Sequence, residues 1–577
     1  SIVRKVKEAV LAVKLERELE KDEILERYLN TIYFGRGAYG VGAASRAYFG
    51  KDVRDVGLQE ASYLAGLIRS PGGADALVHP EEATRRRSTV LQAMAEEGYI
   101  SAADQATVDA SPIQTNVVEP SDRTGLGPVE GADIGTKYFV EAVRRQVAER
   151  YGEDTLYGGG LRIYTTIDFD AQRAAWDAVT STLDQPGDPD AALVAVDEYG
   201  QVKAMVGGRD FDEDELNLAL GKSAFGLDWG GTGRGAGSAF KPYVLAEAIR
   251  QGVSLNSMFD APGSMTFPGV PGAKPGEDWK VGNYGGTEQG VLDLVDATRV
   301  SSNTAFAQLM LQVGPEAVVN LANQLGVQAE LPAVNSLVLG TGEVSVLDMA
   351  TGFSTFANRG IRNMPTLIAK IEQVEDDSTG VDVVEQFTPT NERVLTEQQA
   401  DLVTYCLREV VEAGTGRTAD IGKPVAGKTG TTQENRDAWF VGYTPTLTAA
   451  VWMGYPGAPG EEPRFMDDVH GREVTGGSFP AEIWAKFMRT ATEGMDTAPF
   501  TVPKTFPGRE LNVELQLPTS STAPRATVPK TVTTKAEPPA TTTTTAPVST
   551  TPPTTAPPAT APPPATAPPP GGPGVAG

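Results

Sequence analysis

The chain has 577 residues, of which 40% are hydrophobic and 21% are charged, a composition typical of a globular protein with two or three domains. Its formal net charge of -26 argues against nucleic-acid binding and against a basic, membrane-binding surface. A single cysteine, Cys406, excludes an internal disulfide framework, and the two histidines, His79 and His470, argue against a His-based zinc site or a Ser-His-Asp triad.

The chain contains no run of about 18 apolar residues, so as given it is predicted not to span a membrane. It begins with Ser1 inside a helical pattern and has no signal-like segment. We therefore expect that an upstream segment has been cut away. Cys406 lies on an apolar helical stripe, which predicts a buried and unreactive thiol.

Residues 1–115 have a helical pattern. One face of a first helix carries apolar residues at helical spacing, namely Ile2, Val6, Ala9, Val10 and Val13. A second helix is predicted to begin at Asp22 as its N-cap and to end before Gly35. Nothing in this periodicity alone distinguishes the block from a generic helical domain.

Residues 116–190 are predicted to connect two domains. The stretch 116–135 is rich in Gly, Pro and Asp and is predicted to be a loop. An amphipathic helix follows over Tyr138–Tyr151. The stretch Leu161–Asp168 alternates between apolar and polar residues, as a half-exposed strand does.

A third domain is predicted over residues 191–497. It opens with two apolar stretches around Gly200, which predict a hairpin over residues 193–206. Residues 425–455 have the pattern of an antiparallel meander. The last helix is predicted to begin at Ser478, with Pro480 in its first turn.

Ser238 precedes Lys241 by three residues at the predicted start of a helix that ends at Gly252. Residues at i and i+3 share one helical face, so the lysine amine can reach the serine hydroxyl. A serine becomes a good nucleophile only when a base takes its proton. Lysine can be that base if burial or a nearby positive charge lowers its pKa from about 10.4. Alone, the pair is typical of an ordinary helix start.

Two later motifs change this interpretation. Ser301 and Asn303 offer a hydroxyl and an amide between predicted helices, and Lys428–Gly430 reads Lys-Thr-Gly on the first strand of the meander. Glycine in a strand permits the close approach of another backbone, as a bound peptide requires. Ser254 and Asn256 repeat the Ser-x-Asn pattern, but they follow the Ser238 helix and cannot fold back over it.

In this order, the three motifs resemble those of the penicillin-binding proteins and serine β-lactamases. The resemblance implies an α/β penicillin-binding/β-lactamase-like transpeptidase domain with an antiparallel sheet. It also implies a serine-type D-Ala-D-Ala transpeptidase (an acyltransferase), with no cofactor and no metal. β-Lactams would then acylate Ser238, because they mimic the substrate.

The resemblance also implies roles for individual residues. Ser238 would be the nucleophile and Lys241 its base, while Lys428 would lower the pKa of Lys241. Ser301 would relay a proton to the leaving group, and Asn303 would orient Lys241 or the substrate. The substrate-binding residues would be Thr429, Gly430, Thr431 and Thr432, with the N–H groups of Ser238 and Thr431 as the oxyanion hole.

The N-terminal block has its own resemblance. The stretches Arg4–Glu8, Lys21–Asn30, Tyr33–Gly40 and Arg86–Leu91 resemble the C-terminal part of the lysozyme-like peptidoglycan glycosyltransferase domain, here residues 1–115. Glu8 would be that domain's second acid, with Arg4 and Lys5 as ligands of lipid pyrophosphate. The family's general-base glutamate and donor-binding stretch do not occur in this sequence, so we expect this chain not to polymerise glycan.

Together the two resemblances identify a bifunctional, class A penicillin-binding protein that is N-terminally truncated within its glycosyltransferase domain. Residues 116–190 then correspond to a small α/β interdomain linker. Residues 498–515 are a C-terminal extension, and residues 516–577 are a Pro/Thr/Ala-rich tail. Such a tail cannot bury enough apolar surface to offset its ordering entropy and is predicted to be a disordered, extended spacer.

The implied partners are peptidoglycan stem peptides, lipid II, β-lactams, a membrane reached through a missing N-terminal helix, and cell-wall or divisome proteins. The implied location is the extracytoplasmic face of the plasma membrane in the cell envelope. Glycosyltransferase activity would belong only to the full-length protein.

Two alternatives use the same motifs. One is a hydrolase of the D,D-carboxypeptidase or β-lactamase type. Class A β-lactamases have a glutamate, four residues before an asparagine, that activates the deacylating water. The nearest candidate pair here, Glu330 and Asn335, lies five residues apart, so we interpret it as coincidental. The other is a non-catalytic sensor of β-lactams or wall fragments. A long acyl-enzyme lifetime and formation of cross-linked product would each favour the transpeptidase.

Overall fold

A computed structural model describes residues 19–512, apart from residues 37, 39, 70, 114–116, 119–128, 153–154, 157–159, 230–232, 273–275, 375–380, 457–463 and 496–497. The predicted glycosyltransferase residues Arg4, Lys5 and Glu8 and the predicted disordered tail lie outside the described residues.

The helices and strands are numbered in chain order. The helices are α1 Lys21–Thr31, α2 Val41–Phe49, α3 Leu58–Leu67, α4 Pro80–Glu96, α5 Ala102–Asp109, α6 Lys137–Tyr151, α7 Phe169–Thr180, α8 Lys241–Arg250, α9 Leu294–Arg299, α10 Asn303–Val313, α11 Pro315–Leu325, α12 Val346–Ala357, α13 Glu397–Glu412 and α14 Phe479–Ala491. The strands are β1 Leu161–Thr165, β2 Asp190–Asp197, β3 Val202–Val206, β4 Ser223–Ala224, β5 Leu227–Asp228, β6 Arg234–Gly235, β7 Phe259–Asp260, β8 Ser264–Pro271, β9 Asp278–Gly282, β10 Val291–Leu292, β11 Glu343–Val344, β12 Ile361–Arg362, β13 Ile368–Val374, β14 Val381–Gln386, β15 Glu392–Arg393, β16 Ala426–Thr431, β17 Asp437–Tyr443 and β18 Leu447–Gly454. None of these helices has the length and hydropathy that a membrane span requires.

Helices α1–α4 and the segments around them form a hydrophobic core of their own, whose most buried aromatic members are Phe34, Tyr48 and Tyr63. The predicted cap of α1 is wrong by two residues. The N-cap is Glu20, whose backbone N–H donates to the Glu23 carboxylate, whereas Asp22 lies in the first turn. A carboxylate in the first turn is still favourable because it faces the positive end of the helix dipole.

The strand predicted at residues 161–168 is observed as β1. Its partner is β13, which lies about 200 residues further along the chain and pairs in turn with β14. The central pair of this register is Ile163 with Ile371. The three-stranded sheet therefore combines the predicted linker with a segment from within residues 191–497.

The main sheet has five antiparallel strands in the order β16-β17-β18-β2-β3. The predicted hairpin over residues 193–206 and the predicted meander over residues 425–455 are both confirmed, and β18 pairs with β2 to join them. Strands β17 and β18 are buried along their whole length. Their unbroken apolar runs follow from helices covering both faces of the sheet.

Alternate residues of the sheet belong to two cores. Leu193 and Val451 pack with α7 and α14 on one face. Val194 and Val441 pack with the helical layer that contains α8, α10 and α12 on the other face. Helix α7 covers the sheet although it precedes residue 191 in the chain.

Helix α8 lies inside the helical layer, and every residue from Lys241 to Ile249 is buried. A helix that is buried all round needs apolar residues on all faces. A lysine at its first position is therefore exceptional and points to a role beyond packing.

Candidate active site

Ser238 lies in a single 3-10 turn, Gly237–Phe240, that leads directly into α8. The sequence predicted an α-helical start here. Gly237 has φ +54°, and a Cβ atom at this position would lie 2.7 Å from the Thr431 carbonyl oxygen. Glycine is needed both for this backbone conformation and for the close approach. The turn that carries Ser238 thus packs directly against the end of β16.

Lys241 is completely buried. Its Nζ lies 2.7 Å from the Ser301 carbonyl oxygen, 2.7 Å from Asn303 Oδ1 and 3.3 Å from Ser301 Oγ. Within the part of the chain that the structure describes, Lys241 Nζ makes no hydrogen bond to the Ser238 hydroxyl. The amine is held instead by the segment between α9 and α10.

Ser301 is the residue that both lysines share. Lys428 Nζ donates to Ser301 Oγ at 2.8 Å and to the Thr429 carbonyl oxygen at 2.9 Å. Ser301 has φ +59°, a left-handed conformation that non-glycine residues adopt at a cost. This conformation lets one residue present both its carbonyl and its hydroxyl to the lysine pair.

Burial controls the protonation of the two lysines. It lowers the pKa of Lys241 well below the usual value, and the charge of Lys428 lowers it further. Burial also lowers the pKa of Lys428 to about 7. Among the described residues, neither amine has a carboxylate partner that would favour its charged form. Burial and the neighbouring charge therefore both favour the neutral form of the Lys241 amine.

Asn303 begins α10. Its Nδ2 donates to the Gly282 carbonyl oxygen at 2.8 Å, which leaves Oδ1 to accept from Lys241. Its backbone N–H donates to Asn283 Oδ1 at 2.9 Å. No motif in the sequence indicated Asn283, because its contact with α10 joins residues that are distant in the chain.

The Lys-Thr-Gly segment lies on the edge strand β16. Thr429 Oγ1 lies 2.7 Å from Thr415 Oγ1, and Thr431 Oγ1 accepts a hydrogen bond from the Gly476 N–H at 3.0 Å. Gly430 packs against the Ser238 turn, where a side chain would meet Ala239. Sequence reasoning missed Thr415, whose only signal was its place in a Gly-Thr-Gly segment.

Thr432 differs from the two preceding threonines. Its Oγ1 accepts from the Asp437 backbone N–H at 2.8 Å, and Asp437 also receives a hydrogen bond from Trp452 Nε1 at 3.0 Å. The Thr432 side chain is thus engaged at the turn between β16 and β17. Whether Thr429, Gly430, Thr431 and Thr432 bind substrate stays a prediction.

Two segments meet near these residues. The Tyr284 hydroxyl donates to Glu473 Oε1 at 2.6 Å, and Asn435 Nδ2 donates to the same oxygen at 2.9 Å. This contact joins the segment after β9 to the segment before α14. No local pattern in the sequence predicted this contact.

The second Ser-x-Asn copy lies elsewhere. Ser254 Oγ donates to the Phe506 carbonyl oxygen, and Asn256 Nδ2 donates to Glu510. This second copy therefore anchors the C-terminal extension. The observation agrees with the prediction that Ser254 and Asn256 do not fold back over the Ser238 helix. Cys406 is buried, and burial raises the pKa of its thiol, as expected of an unreactive cysteine.

Among the described residues, one group of side chains, Asp184, Asp188 and His470, could offer ligands to a metal ion. His470 Nε2 lies 2.8 Å from Asp188 Oδ1. A direct hydrogen bond accounts for this pair without an ion.

Two family models match the chain. Residues 1–95 match the transglycosylase family, and residues 191–475 match the penicillin-binding protein transpeptidase domain. These ranges include the Lys241, Ser301 and Lys428 cluster and most of the N-terminal helices.

Named relatives match over most of the chain. Penicillin-binding protein 1A of Mycobacterium tuberculosis is 35% identical over 87% of this chain and 60% of its own length. Penicillin-binding protein 1A of Aquifex aeolicus is 31% identical over 87% of this chain and 75% of its own length. The chain thus spans less than two thirds of the first of these relatives.

A solved structure shares the fold. It is the PonA1 protein of Mycobacterium tuberculosis in complex with penicillin V, with a TM-score of 0.55 and 30% sequence identity. The match covers 65% of this chain and 98% of that chain.

Proposed function

Since the chain belongs to the bifunctional, class A penicillin-binding proteins, we propose that it is a peptidoglycan synthase that cross-links stem peptides through an acyl-enzyme on Ser238. The observation that carries this proposal is the pair of buried lysines, Lys241 and Lys428, that meet at the Ser301 hydroxyl beside the Ser238 turn. A buried amine without a carboxylate partner suits general-base chemistry.

The hydrogen bonds of Lys241 support its role as the base. A neutral amine has two hydrogens and one lone pair. Two strong acceptors, Ser301 O and Asn303 Oδ1, both lie 2.7 Å from Nζ and can take the two hydrogens. The lone pair is then left to accept a hydroxyl proton. During catalysis that proton comes from Ser238, which lies three residues earlier in the 3-10 turn that leads into α8.

The reaction proceeds in two halves. Ser238 Oγ attacks the carbonyl carbon of the D-Ala-D-Ala bond while its proton passes to Lys241. The N–H groups of Ser238 and Thr431 stabilise the resulting oxyanion, where one donor is worth about 3 kcal/mol. The C–N bond then breaks, and Ser301 relays the proton to the leaving D-alanine amine.

In the second half, an amine of a neighbouring stem peptide attacks the acyl-enzyme. Its proton passes through the same amine and hydroxyl groups to Ser238 Oγ as the ester bond breaks, so the amide cross-link forms and the serine hydroxyl is regenerated. The donor's terminal carboxylate binds Lys428 and the hydroxyl groups of Thr429 and Thr431. The Gly476 N–H already donates to Thr431 Oγ1, which leaves the threonine proton to point at another acceptor such as that carboxylate.

The family places further expectations on the whole protein. We assign the chain to the cell envelope, on the outer face of the plasma membrane, with lipid II as the substrate of the glycosyltransferase domain in the full-length protein. The PonA1 structure is a complex with penicillin V. By analogy, β-lactams would acylate Ser238 here.

The proposal is tested with a fluorescent penicillin. The Ser238→Ala variant should lose all covalent labelling, because no other hydroxyl lies at the same position of the turn. The matched control is Ser254→Ala, which alters the second Ser-x-Asn copy and should label like the parent protein. Persistent labelling of Ser238→Ala would reject Ser238 as the nucleophile.

A further inference from the structure

Asn283 follows β9 and is buried, with only 6% of its surface exposed. Its side chain makes contacts in two directions. Nδ2 donates to the carbonyl oxygens of Pro262 at 3.0 Å and Thr287 at 3.1 Å. Both amide hydrogens are therefore used, and the orientation of the amide group is fixed.

The fixed amide presents Oδ1 to the start of α10. Oδ1 accepts from the backbone N–H groups of Asn303 at 2.9 Å and Thr304 at 3.1 Å. These are two of the N–H groups that a helix leaves without internal partners. Ser302, the N-cap, satisfies only the N–H of Ala305 with its own side chain. Asn283 thus completes the cap of α10 from a distant part of the chain.

The residue before Asn283 fixes the side chain of Asn303. The Gly282 carbonyl oxygen accepts from Asn303 Nδ2 at 2.8 Å. If this amide rotated by half a turn, its oxygen would face the Gly282 oxygen, which is repulsive, and its NH₂ group would occupy the lone pair of Lys241 that the base needs. The contact with Gly282 therefore favours the orientation in which Asn303 Oδ1 faces Lys241.

We propose that Asn283 is a positioning residue for the base Lys241, which acts by holding Ser301 and Asn303 at the start of α10. It does not touch Lys241 or the proposed nucleophile itself. The proposal rests on the proposed function for the identity of the base. The hydrogen bonds that define Asn283 are independent of that assignment.

Loss of the Asn283 side chain frees two N–H groups and relaxes the strained turn at Ser301. Displacement of a catalytic group by about 1 Å can reduce a rate by about 100-fold. We therefore expect Asn283→Ala to lower the first-order acylation constant for penicillin by about 10- to 100-fold. The dissociation constant of the non-covalent complex should stay within about two-fold of the parent value, because the Lys-Thr-Gly strand is unchanged.

The matched control is Asn363→Ala. Asn363 is also buried and also bridges two backbone segments, donating to the Glu198 carbonyl oxygen and accepting from the Asn391 N–H. Its loss should reduce stability without reducing the acylation constant. An acylation constant at the parent value in Asn283→Ala, or an equal loss in Asn363→Ala, would overturn the proposal.

The Asn283→Asp variant provides a second readout. One carboxylate oxygen can accept from the same two N–H groups, while the other faces the carbonyl oxygens of Pro262 and Thr287 in place of the amide hydrogens. The acylation constant should therefore recover only in part, and only at alkaline pH. Its negative charge favours the ammonium form of Lys241, so the acid limb of the pH–rate profile should move to higher pH. If Asn283→Ala does not fold, the pH–rate profile of Asn283→Asp tests the positioning role instead. An acid limb at the same pH as in the parent protein would overturn the proposal.

The experiments distinguish an error in the proposed function from an error in the positioning role of Asn283. If Ser238→Ala still labels, the base assignment is lost whatever Asn283 does. If Ser238→Ala does not label and the Asn283 variants react like the parent protein, only the positioning role is wrong.

Discussion

Lys241 and Lys428 lie on either side of the Ser301 hydroxyl, and both are fully buried. Two ammonium groups in this position would repel each other and would lack the hydration that water provides. Protein folding therefore favours the loss of protons from the pair. Because burial and repulsion destabilise the charged pair, they favour the neutral amine that the proposed reaction needs.

This coupling predicts how stability depends on pH. The pKa of Lys428 is about 7 in the folded protein and 10.5 for an unperturbed lysine. Between these values the unfolded chain binds more protons than the folded chain, so the free energy of unfolding rises with pH. Below the pKa of Lys428 in the folded protein, the full destabilisation from burying the charged amine remains. Above its pKa in the unfolded chain, this destabilisation is absent. Urea denaturation at several pH values should show this rise.

The variant Lys428→Met removes the titrating group. We expect its free energy of unfolding to rise less steeply between about pH 7 and about pH 10. Lys222→Met, which replaces an exposed lysine, should keep the parent slope. Equal slopes for Lys428→Met and the parent protein would contradict the linkage.

The Thr415 hydroxyl is expected to contribute to ligand binding. Its hydroxyl pairs with Thr429 Oγ1 at 2.7 Å and orients it beside Lys428. The isosteric change Thr415→Val should weaken non-covalent penicillin binding by about five-fold, as expected for the loss of one hydrogen bond of about 1 kcal/mol. Thr404→Val breaks a similar hydroxyl pair with Tyr443 and should leave binding unchanged. Equal effects in the two variants would point to stability rather than recognition.

At the scale of elements, the C-terminal extension is a part of the folded domain rather than the start of the tail. Arg509 N–H donates to the Gly252 carbonyl oxygen at 2.7 Å, and Met258 N–H donates to the Leu511 carbonyl oxygen at 2.9 Å. The Phe506 ring packs against Tyr405 on α13 with a centroid distance of 5.3 Å. The extension thereby ties the end of α8 to α13.

The change Phe506→Ala should therefore lower the free energy of unfolding by about 2 kcal/mol, less than for a fully buried phenylalanine. Thermal unfolding followed by circular dichroism measures this loss. Val502→Ala, at a side chain that is 55% exposed, should have almost no effect. A parent-like melting temperature for Phe506→Ala would show that the extension is only loosely attached.

The elements also show which features the sequence could predict. The strands β17 and β18 and the hairpin of β2 and β3 were predicted, because their apolar runs and turns are local signals. The 3-10 turn at Ser238 was not, because its form follows from packing of Gly237 against Thr431, which is far away in the chain. The cap of α1 was misplaced because Glu20, Asp22 and Glu23 all offer carboxylates to the same helix start.

In the molecule as a whole, contacts between segments that are far apart in the sequence were the features that the sequence predicted least well. The alternation of β1 indicated a strand but could not identify β13 as its partner. The motifs around Lys241, Ser301 and Lys428 predicted that these side chains lie together because the family resemblance implied it, whereas their spacing in the sequence alone does not. Asn283 and Thr415 belong to no such motif, and only the folded chain brings them to the site.

Helix α7 bears on where the transpeptidase unit begins. The sequence predicted a boundary at residue 191, yet α7 precedes it and packs on the main sheet. Ala175 is fully buried there, and Gln172 forms hydrogen bonds with both the N–H and the carbonyl oxygen of Met205. Helix α6 also contributes, since Tyr138 is buried against Phe211 with a ring distance of 5.0 Å.

A fragment that starts at residue 191 would expose the apolar face of the sheet that α7 covers and would leave β13 without β1. We expect it to unfold at lower urea concentration than a fragment that starts at residue 129, or to aggregate, with loss of fluorescent penicillin labelling in either case. The fragment from residue 129 should label like the full chain. Equal labelling and equal urea midpoints for the two fragments would show that α6, α7 and β1 are accessory, and the boundary at residue 191 would then stand.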